Sequence, residues 1–196
     1  ESVFKHELKG QYVITSVDFL LKKNAPLHLE YGNIKSYLEQ NGIESPTLQQ
    51  LHDAICAIRD AKLPDVKQNG SAGSFFKNPV IERTQFEALQ KDYPDIPHYD
   101  EPNGMVKVPA GWLIEHCGPS ILRPFGPSTS SGTDSSGTDS GKGWRNEHVG
   151  VYEKQALVLV HYGGGKGQDI VELAHRIQDS VEAKFGIRIS PEVNFV

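Results

Sequence analysis

The stretch Gly73-Ser-Phe-Phe-Lys-Asn-Pro79 brings together side chains that could do chemistry. A hydroxyl follows a glycine directly, and two aromatics, a lysine and an Asn-Pro pair come next. Glycine permits a sharp bend and the residue before proline is kept out of helix, so this backbone can present Ser74, Lys77 and Asn78 as a fixed polar cluster. In the alternative interpretation the stretch is an ordinary loop whose two phenylalanines fill a core.

Helices are predicted on both sides of this stretch from the spacing of apolar residues. Thr47 and Gln50 form a capping box after a proline. The apolar residues that follow lie at helical spacing and predict a helix over 48–60. The remaining predicted helices are 83–91, a segment from Pro109 closed by Gly118, and 170–185 before Gly186.

Three segments are predicted to form strands. The alternation of Val13, Val17, Phe19 and Leu21 indicates a strand over 12–21, and 156–162 is a continuous apolar run typical of an internal strand. A last strand over 187–195 is interrupted by a proline. Because helices and strands alternate irregularly, the sequence predicts a compact α+β domain rather than a doubly wound sheet.

Composition limits the classes of protein to which the chain can belong. Its 196 residues suit one domain or slightly more, which is long enough to bury a sizeable core. A net charge of −5 and a pI near 5.9 argue against general binding to nucleic acid or to a membrane surface. No apolar run approaches the roughly 20 residues that span a bilayer, and no signal peptide opens the chain. We therefore expect a cytoplasmic protein.

Cysteine and histidine spacing does not indicate a metal site. Cys56 and Cys117 are far apart and each falls in an apolar helical pattern, so both are predicted to be reduced core thiols. The eight histidines show neither an HExxH motif nor paired spacing, so no metal ligand is assigned. The glycine-rich segment Gly163–Gly167 matches neither a P-loop nor a dinucleotide fingerprint and is interpreted as a flexible strand-to-helix loop.

Six segments, in order along the chain, carry a resemblance to a known family. With Gly73–Pro79 among them, they resemble UDP-N-acetylenolpyruvoylglucosamine reductase, the flavoenzyme MurB of peptidoglycan synthesis, in its longer form. The resemblance covers nearly the whole chain except residues 119–141. The other five segments are Tyr31-Gly32, Arg59 to Asp65, Pro109 to Ile114, Val149 to Val158, and Pro191 to Val193.

The resemblance implies an oxidoreductase of cell-wall biogenesis, and hence a link to cell shape, cell cycle and cell division. In such enzymes hydride passes from NADPH to FAD and then to C3 of UDP-N-acetylglucosamine enolpyruvate. Stabilisation of the developing enolate charge polarises the vinyl ether, and C2 is then protonated.

The resemblance also implies roles for individual residues. Ser74 matches the family's proton donor, and Glu192 matches the glutamate that works opposite it; otherwise they are a turn serine and a solvent-facing strand residue. Lysines suit diphosphate as point charges, and tyrosine suits stacking or a hydrogen bond to phosphate. The expected contacts to sugar, diphosphate and uracil, each of which could instead be a solvated surface residue, are Tyr31, Lys62, Asn78, Tyr99, Lys107, Lys142 and Gln155.

The resemblance divides the chain into parts. Residues 1–25 are expected to be the tail of an FAD-binding domain, and 26–118 with 142–196 the substrate-binding domain. Residues 119–141 contain Ser-Ser-Gly-Thr-Asp twice and have the composition of an inserted flexible linker. The family's N-terminal flavin-binding region has no counterpart here, so we expect the chain alone to be inactive and not to bind FAD. Its expected partners are the UDP-sugar and a flavin-domain fragment.

A second interpretation belongs to a different class of function. The linker composition of 119–141 is also what a truncated or engineered scaffold would carry if it displayed the inserted loop. In that case the reductase part would be only a carrier. A natural surface insertion explains the same composition, and the sequence leaves these alternatives open.

Overall fold

The computed structural model describes residues 2–23, 25–117 and 145–195. The expected insertion 119–141 and the expected substrate contact Lys142 lie outside these residues. The helices are α1 (Ile34–Gln40), α2 (Leu48–Lys62), α3 (Arg83–Asp92), α4 (Ala110–Cys117) and α5 (Gly167–Phe185), with short 3₁₀ helices at Val3–Lys5 and Pro102–Gly104. The strands are β1 (Gly70–Ser74), β2 (Val80–Glu82), β3 (Tyr99–Asp100), β4 (Met105–Lys107), β5 (Val149–Tyr152) and β6 (Gln155–His161).

The chain folds into two compact units, residues 1–54 and 55–196. The buried apolar side chains of the first unit come from α1 and the first turns of α2: Ile34, Leu38, Leu51 and Ala54. The predicted division of the chain near residue 25 stays a prediction. Within the described part of the chain, no helix is both long and apolar enough to cross a membrane.

The predicted capping box at the start of α2 is confirmed. The backbone N–H of Thr47 donates to the side-chain oxygen of Gln50 at 2.8 Å, and the N–H of Gln50 donates to the Thr47 hydroxyl at 3.2 Å. Two backbone donors that an isolated helix would leave unpaired are therefore satisfied. The helix begins at Leu48 as predicted and runs two residues past the predicted end.

The strand predicted over 12–21 is wrong. Residues 12–22 have no regular secondary structure, and Val13, Val17, Phe19 and Leu21 are each more than 60% exposed. A strand needs a neighbour to accept and donate its backbone hydrogen bonds, and none of the described strands pairs with this segment. Alternating side chains alone do not supply that neighbour.

The second unit contains two three-stranded antiparallel sheets and confirms the α+β class. The strand orders are β1-β6-β5 in the first sheet and β2-β4-β3 in the second. Helices α4 and α5 pack on the first sheet and α3 packs on the second. One apolar cluster joins sheets and helices, and its largest buried side chains include Phe75, Phe86, Leu113, Ile114, Leu159, Ile177 and Ile189.

The sequence predicts the helices of this unit better than its last strand. Helices α3, α4 and α5 lie where apolar spacing placed them, and Gly186 ends α5 in the left-handed conformation with a φ of 64°. The strand predicted over 187–195 is wrong, because only an isolated bridge forms there, between Phe76 and Pro191. Proline has no N–H to continue a ladder beyond that point.

The two cysteines differ in their environments. Cys117 is fully buried at the end of α4, and burial raises the pKa of its thiol to about 11, so the thiol stays neutral. Cys56 is exposed, so its prediction as a core thiol is wrong. The helix buries Leu51 and Ala54, and a turn of about 100° per residue carries position 56 to the opposite face.

A β-bulge at Gly73 sets the orientation of the end of β1. Ser71 pairs with Val160 and Ser74 with Val158, so three residues of β1 advance against two of β6. Gly73 has a φ of +69°, which a side chain would make strained. The extra residue puts Ser74 on the same face of the sheet as Ser71, whereas regular alternation would put them on opposite faces.

We expect Gly73→Ala to lower the free energy of unfolding by about 1–2 kcal/mol, because alanine is strained in left-handed backbone. Gly167→Ala is the matched control: its φ is ordinary and a Cβ there meets no atom within 4 Å. Placed in the first turn of α5, alanine should stabilise by up to about 1 kcal/mol. Urea unfolding followed by circular dichroism measures both. Equal effects of the two substitutions would contradict the role given to the bulge.

Candidate functional site

The segment 74–79 connects the two sheets, running from the last residue of β1 to the residue before β2. The N–H of Phe75 donates to the carbonyl of Leu157 on β6 at 2.8 Å, and the carbonyl of Phe75 accepts from the N–H of Glu192 at 2.8 Å. The N–H of Lys77 donates to the carbonyl of Ser190 at 2.9 Å. The backbone of Phe75 therefore lies between β6 and the segment 190–192.

The two phenylalanines of this stretch fill the core, and its polar residues are exposed. Phe75 and Phe76 are each 2% exposed and belong to the main core, with their rings 5.2 Å apart in an edge arrangement. Ser74, Lys77 and Asn78 are exposed. The aromatic pair anchors the segment, and the anchored segment presents its polar residues at the surface.

The structure brings the two predicted catalytic residues close together. Glu192 is exposed, and its backbone N–H bonds to the residue that directly follows Ser74. A hydroxyl and a carboxyl group are thus carried on adjacent backbone segments.

The segment that carries Glu192 is held by two glutamine side chains. Gln178 of α5 is 7% exposed, and its amide nitrogen donates to the carbonyl of Ile189 at 2.8 Å. Gln85 of α3 donates to the carbonyl of Gly186 at 3.1 Å. Two helices therefore fix the path from the end of α5 to the site. Sequence reasoning missed Gln178, since a polar residue within an apolar helical pattern gives no sign of its partner.

Asn78 has a structural contact that the sequence did not reveal. Its side-chain oxygen accepts a hydrogen bond from the backbone N–H of Ala110 at 2.9 Å and so caps α4 from a distant part of the chain. Beside it, the carbonyl of Pro79 accepts from the N–H of Val108 at 2.9 Å. A cap uses only the oxygen of the amide, so its NH₂ group can still donate to a ligand.

Tyr99 and Lys107 lie opposite each other on the second sheet. Lys107 on β4 pairs with Tyr99 on one side and with Val80 on the other. Ile81 and Val106, the next residues along, are buried in the core. The sheet therefore has one core face and one open face, and the two predicted substrate contacts share the open face.

Lys62 and Gln155 are linked to the end of the β5–β6 hairpin. Lys62 is exposed at the C-terminus of α2, and the carbonyl of the next residue, Leu63, accepts from the Tyr152 hydroxyl at 3.3 Å. Tyr152 pairs with Gln155 across the hairpin. The side-chain oxygen of Gln155 lies 3.8 Å from where a Cβ on Gly111 would be, beside the first turn of α4 that Asn78 caps.

Seven of the nine predicted site residues belong to the second unit and lie on these connected segments: Lys62, Ser74, Asn78, Tyr99, Lys107, Gln155 and Glu192. Tyr31 lies in the first unit, in the turn before α1, with 84% of its surface exposed. Lys142 lies outside the described residues. The roles expected of Tyr31 and Lys142 stay predictions.

The glycine-rich loop before α5 does not fit a phosphate group. The N–H of Lys166 donates to the Asp169 carboxylate at 2.6 Å. A Cβ on Gly165 would come within 2.6 Å of that carboxylate and 2.8 Å of His148. An acidic group therefore occupies the helix N-terminus, where a cofactor phosphate would otherwise bind. Among the described residues, no group of three or more His, Cys, Asp or Glu side chains could hold a metal ion.

Comparison with known proteins matches residues 134–196 to the C-terminal domain of UDP-N-acetylenolpyruvoylglucosamine reductase. Over 197 residues the chain is 42% identical to the Flavobacterium johnsoniae protein of that name, covering 100% of this chain and 52% of the relative. It is 43% identical to the Porphyromonas gingivalis protein of that name, in an alignment that covers 100% of this chain and 51% of the relative. It is 40% identical to the Pseudomonas aeruginosa protein, in an alignment that covers 99% of this chain and 50% of the relative. The chain contains the C-terminal domain of this reductase family.

The chain spans about half the length of the curated reductases that it matches. Of the segments that gave the resemblance, Pro191 to Val193 and Val149 to Val158 lie within the reductase C-terminal domain match. Gly73–Pro79 lies before it but inside the range that aligns with the full reductases. The predicted membership and the α+β class are both confirmed.

Substitutions of Asn78 test its role as the cap of α4. Asn78→Ala removes the cap of α4 and should cost about 1 kcal/mol of unfolding free energy. Asn78→Asp keeps an oxygen that can cap and should leave stability within about 0.5 kcal/mol of the original. Urea unfolding followed by circular dichroism distinguishes the two variants. A loss with aspartate as large as that with alanine would contradict the capping role.

Proposed function

We propose that this chain supplies the UDP-sugar-binding and proton-donating half of a reductase acting on UDP-N-acetylglucosamine enolpyruvate, in the cytoplasmic part of peptidoglycan synthesis. The observation that carries the proposal is the pair of hydrogen bonds at Phe75. They support it because they hold Ser74 and Glu192 on adjacent backbone segments. The relatives named as reductases support the class of reaction.

In this proposal, FAD and NADPH supply the hydride that is added to C3 of the enolpyruvyl group. No described residue is assigned to either cofactor, since the glycine-rich loop before α5 does not fit a phosphate. The assignments below concern this chain's own residues.

Ser74 is the proposed proton donor to C2. A serine hydroxyl is a weak acid, but an enolate carbon is strongly basic, so the transfer is favourable once the double bond has been reduced. Ser74 is exposed, so its oxygen can recover a proton from solvent. Glu192 is assigned to the opposite side of the substrate from Ser74.

The remaining residues of the site are proposed to bind the substrate. Lys62 and Lys107 suit the diphosphate as point charges, and Tyr99 beside Lys107 can stack or donate to a phosphate oxygen. Asn78 and Gln155 carry amides near the first turn of α4 and suit the sugar or the uracil. Tyr31 and Lys142 are also proposed to contact the substrate, on the basis of the family resemblance alone.

Titration calorimetry of the chain with UDP-N-acetylglucosamine tests this site. We expect binding, and we expect Lys107→Met to weaken it about ten- to a hundredfold, because a charged hydrogen bond is lost. Lys91→Met, at an exposed position near the end of α3, makes the same change in charge and should bind like the original chain. No heat of binding from the folded original chain, or equal losses in the two variants, would overturn the proposed binding site.

The proposed proton donor is tested by turnover in the complete reductase. Ser74→Ala should lower kcat about 10²- to 10⁴-fold with little change in KM, because the hydroxyl acts in the chemical step. Ser71→Ala is the matched control, since Ser71 lies on the same face of the same strand. If both variants kept normal turnover, Ser74 would not be the donor.

A further inference from the structure

The hairpin formed by β3 and β4 places acidic residues on both of its faces. The turn between the strands contains Asn103 and Gly104, with φ values of 65° and 75°. Before the turn, the N–H of Glu101 donates to the carbonyl of Met105 at 3.0 Å, which extends the antiparallel pairing beyond β3. The register of residues 99–107 is thereby fixed on both sides of the turn.

Alternation sends the neighbours Asp100 and Glu101 to opposite faces of this sheet. Asp100 pairs with Arg83 of α3, and both are exposed. Glu101 shares the open face with Tyr99 and Lys107, and the Lys107 ammonium donates to the Glu101 carboxylate. This second pair is less exposed than the first, with 37% of the lysine side chain and 28% of the glutamate accessible.

We infer that Glu101 is an internal competitor that occupies Lys107 and lowers the affinity of the site for phosphate groups. The inference rests on the proposed function, in which Lys107 contacts a diphosphate. The carboxylate already uses one of the three N–H donors of the ammonium group and repels a second anion that approaches it, so an arriving phosphate competes with the carboxylate for Lys107. Binding therefore loses whatever free energy the internal pair contributes.

The same pair also fixes the orientation of the Lys107 side chain. The carboxylate holds the lysine side chain on the open face, which Tyr99 shares. On this view Glu101 orients Lys107 and sets how tightly the ligand is held. It makes no contact with reacting atoms and is a residue that determines affinity.

Isothermal titration of Glu101→Gln with UDP-N-acetylglucosamine and with UDP, at low ionic strength, tests the inference. The substitution keeps the size of the side chain and removes its charge. We expect the dissociation constant to fall about two- to tenfold, from the lost internal pair and the lost repulsion. The gain should shrink as salt is raised, because exposed charges are screened.

Asp100→Asn is the matched control for charge. It removes one negative charge from the adjacent residue of the same hairpin, on the other face of the sheet. We expect its dissociation constant to stay within about 1.5-fold of the original, since it leaves the Lys107 pair intact. Equal gains in affinity in the two variants would show that the gain comes from the change in net charge alone, and would overturn the inference.

A double substitution checks that the gain acts through Lys107. In a Lys107→Met background, Glu101→Gln should give a smaller gain, because only the lost repulsion between Glu101 and the phosphate remains. A gain of the same size there, or an affinity that falls in Glu101→Gln itself, overturns the inference and leaves the proposed function standing. Failure of the original chain and every variant to bind either nucleotide would overturn the proposed function, and the inference with it.

Discussion

The second unit depends on one short piece of backbone, the residue Phe75, hydrogen-bonded on both sides. On one side it continues the first sheet through Leu157, and on the other it receives the N–H of Glu192. Its ring is buried, so displacing the segment would expose apolar surface as well as break these bonds. Two sheets, the end of α5 and the candidate catalytic pair are therefore fixed by a single anchored segment.

Other residues of the second unit also combine a structural contact with a proposed contact to the ligand. Asn78 caps a helix while standing in the proposed ligand site, and Lys107 is held by an internal carboxylate on the open face of the second sheet. Lys107 lies between the buried residues Val106 and Val108, so core packing positions this polar group. The second unit thus carries exposed polar residues on short strands whose inner residues belong to the core.

The sequence revealed the long elements and the functional motif more readily than the short strands. Helix α5 has a strong apolar period and a glycine end, and Thr47 with Gln50 marks the start of α2. Strand β1 was missed because glycine and serine dominate it, and its pairing with β6 is a long-range event. The strand predicted over 12–21 was wrong for the opposite reason: its side chains alternate as in a strand, but none of the described strands pairs with it. The family resemblance, carried by motifs, located Ser74 and Glu192 where periodicity could not.

The bulge at Gly73 also determines which changes in chain length this domain could tolerate. The orientation of Ser74 depends on the count of residues between Ser71 and itself, because that interval contains the extra position. Losing one residue there would turn the hydroxyl to the other face of the sheet, whereas losing one in the turn-rich segment 64–69 would leave it in place. This chain should therefore tolerate a change of length before the strand, but not within the last four residues of the strand.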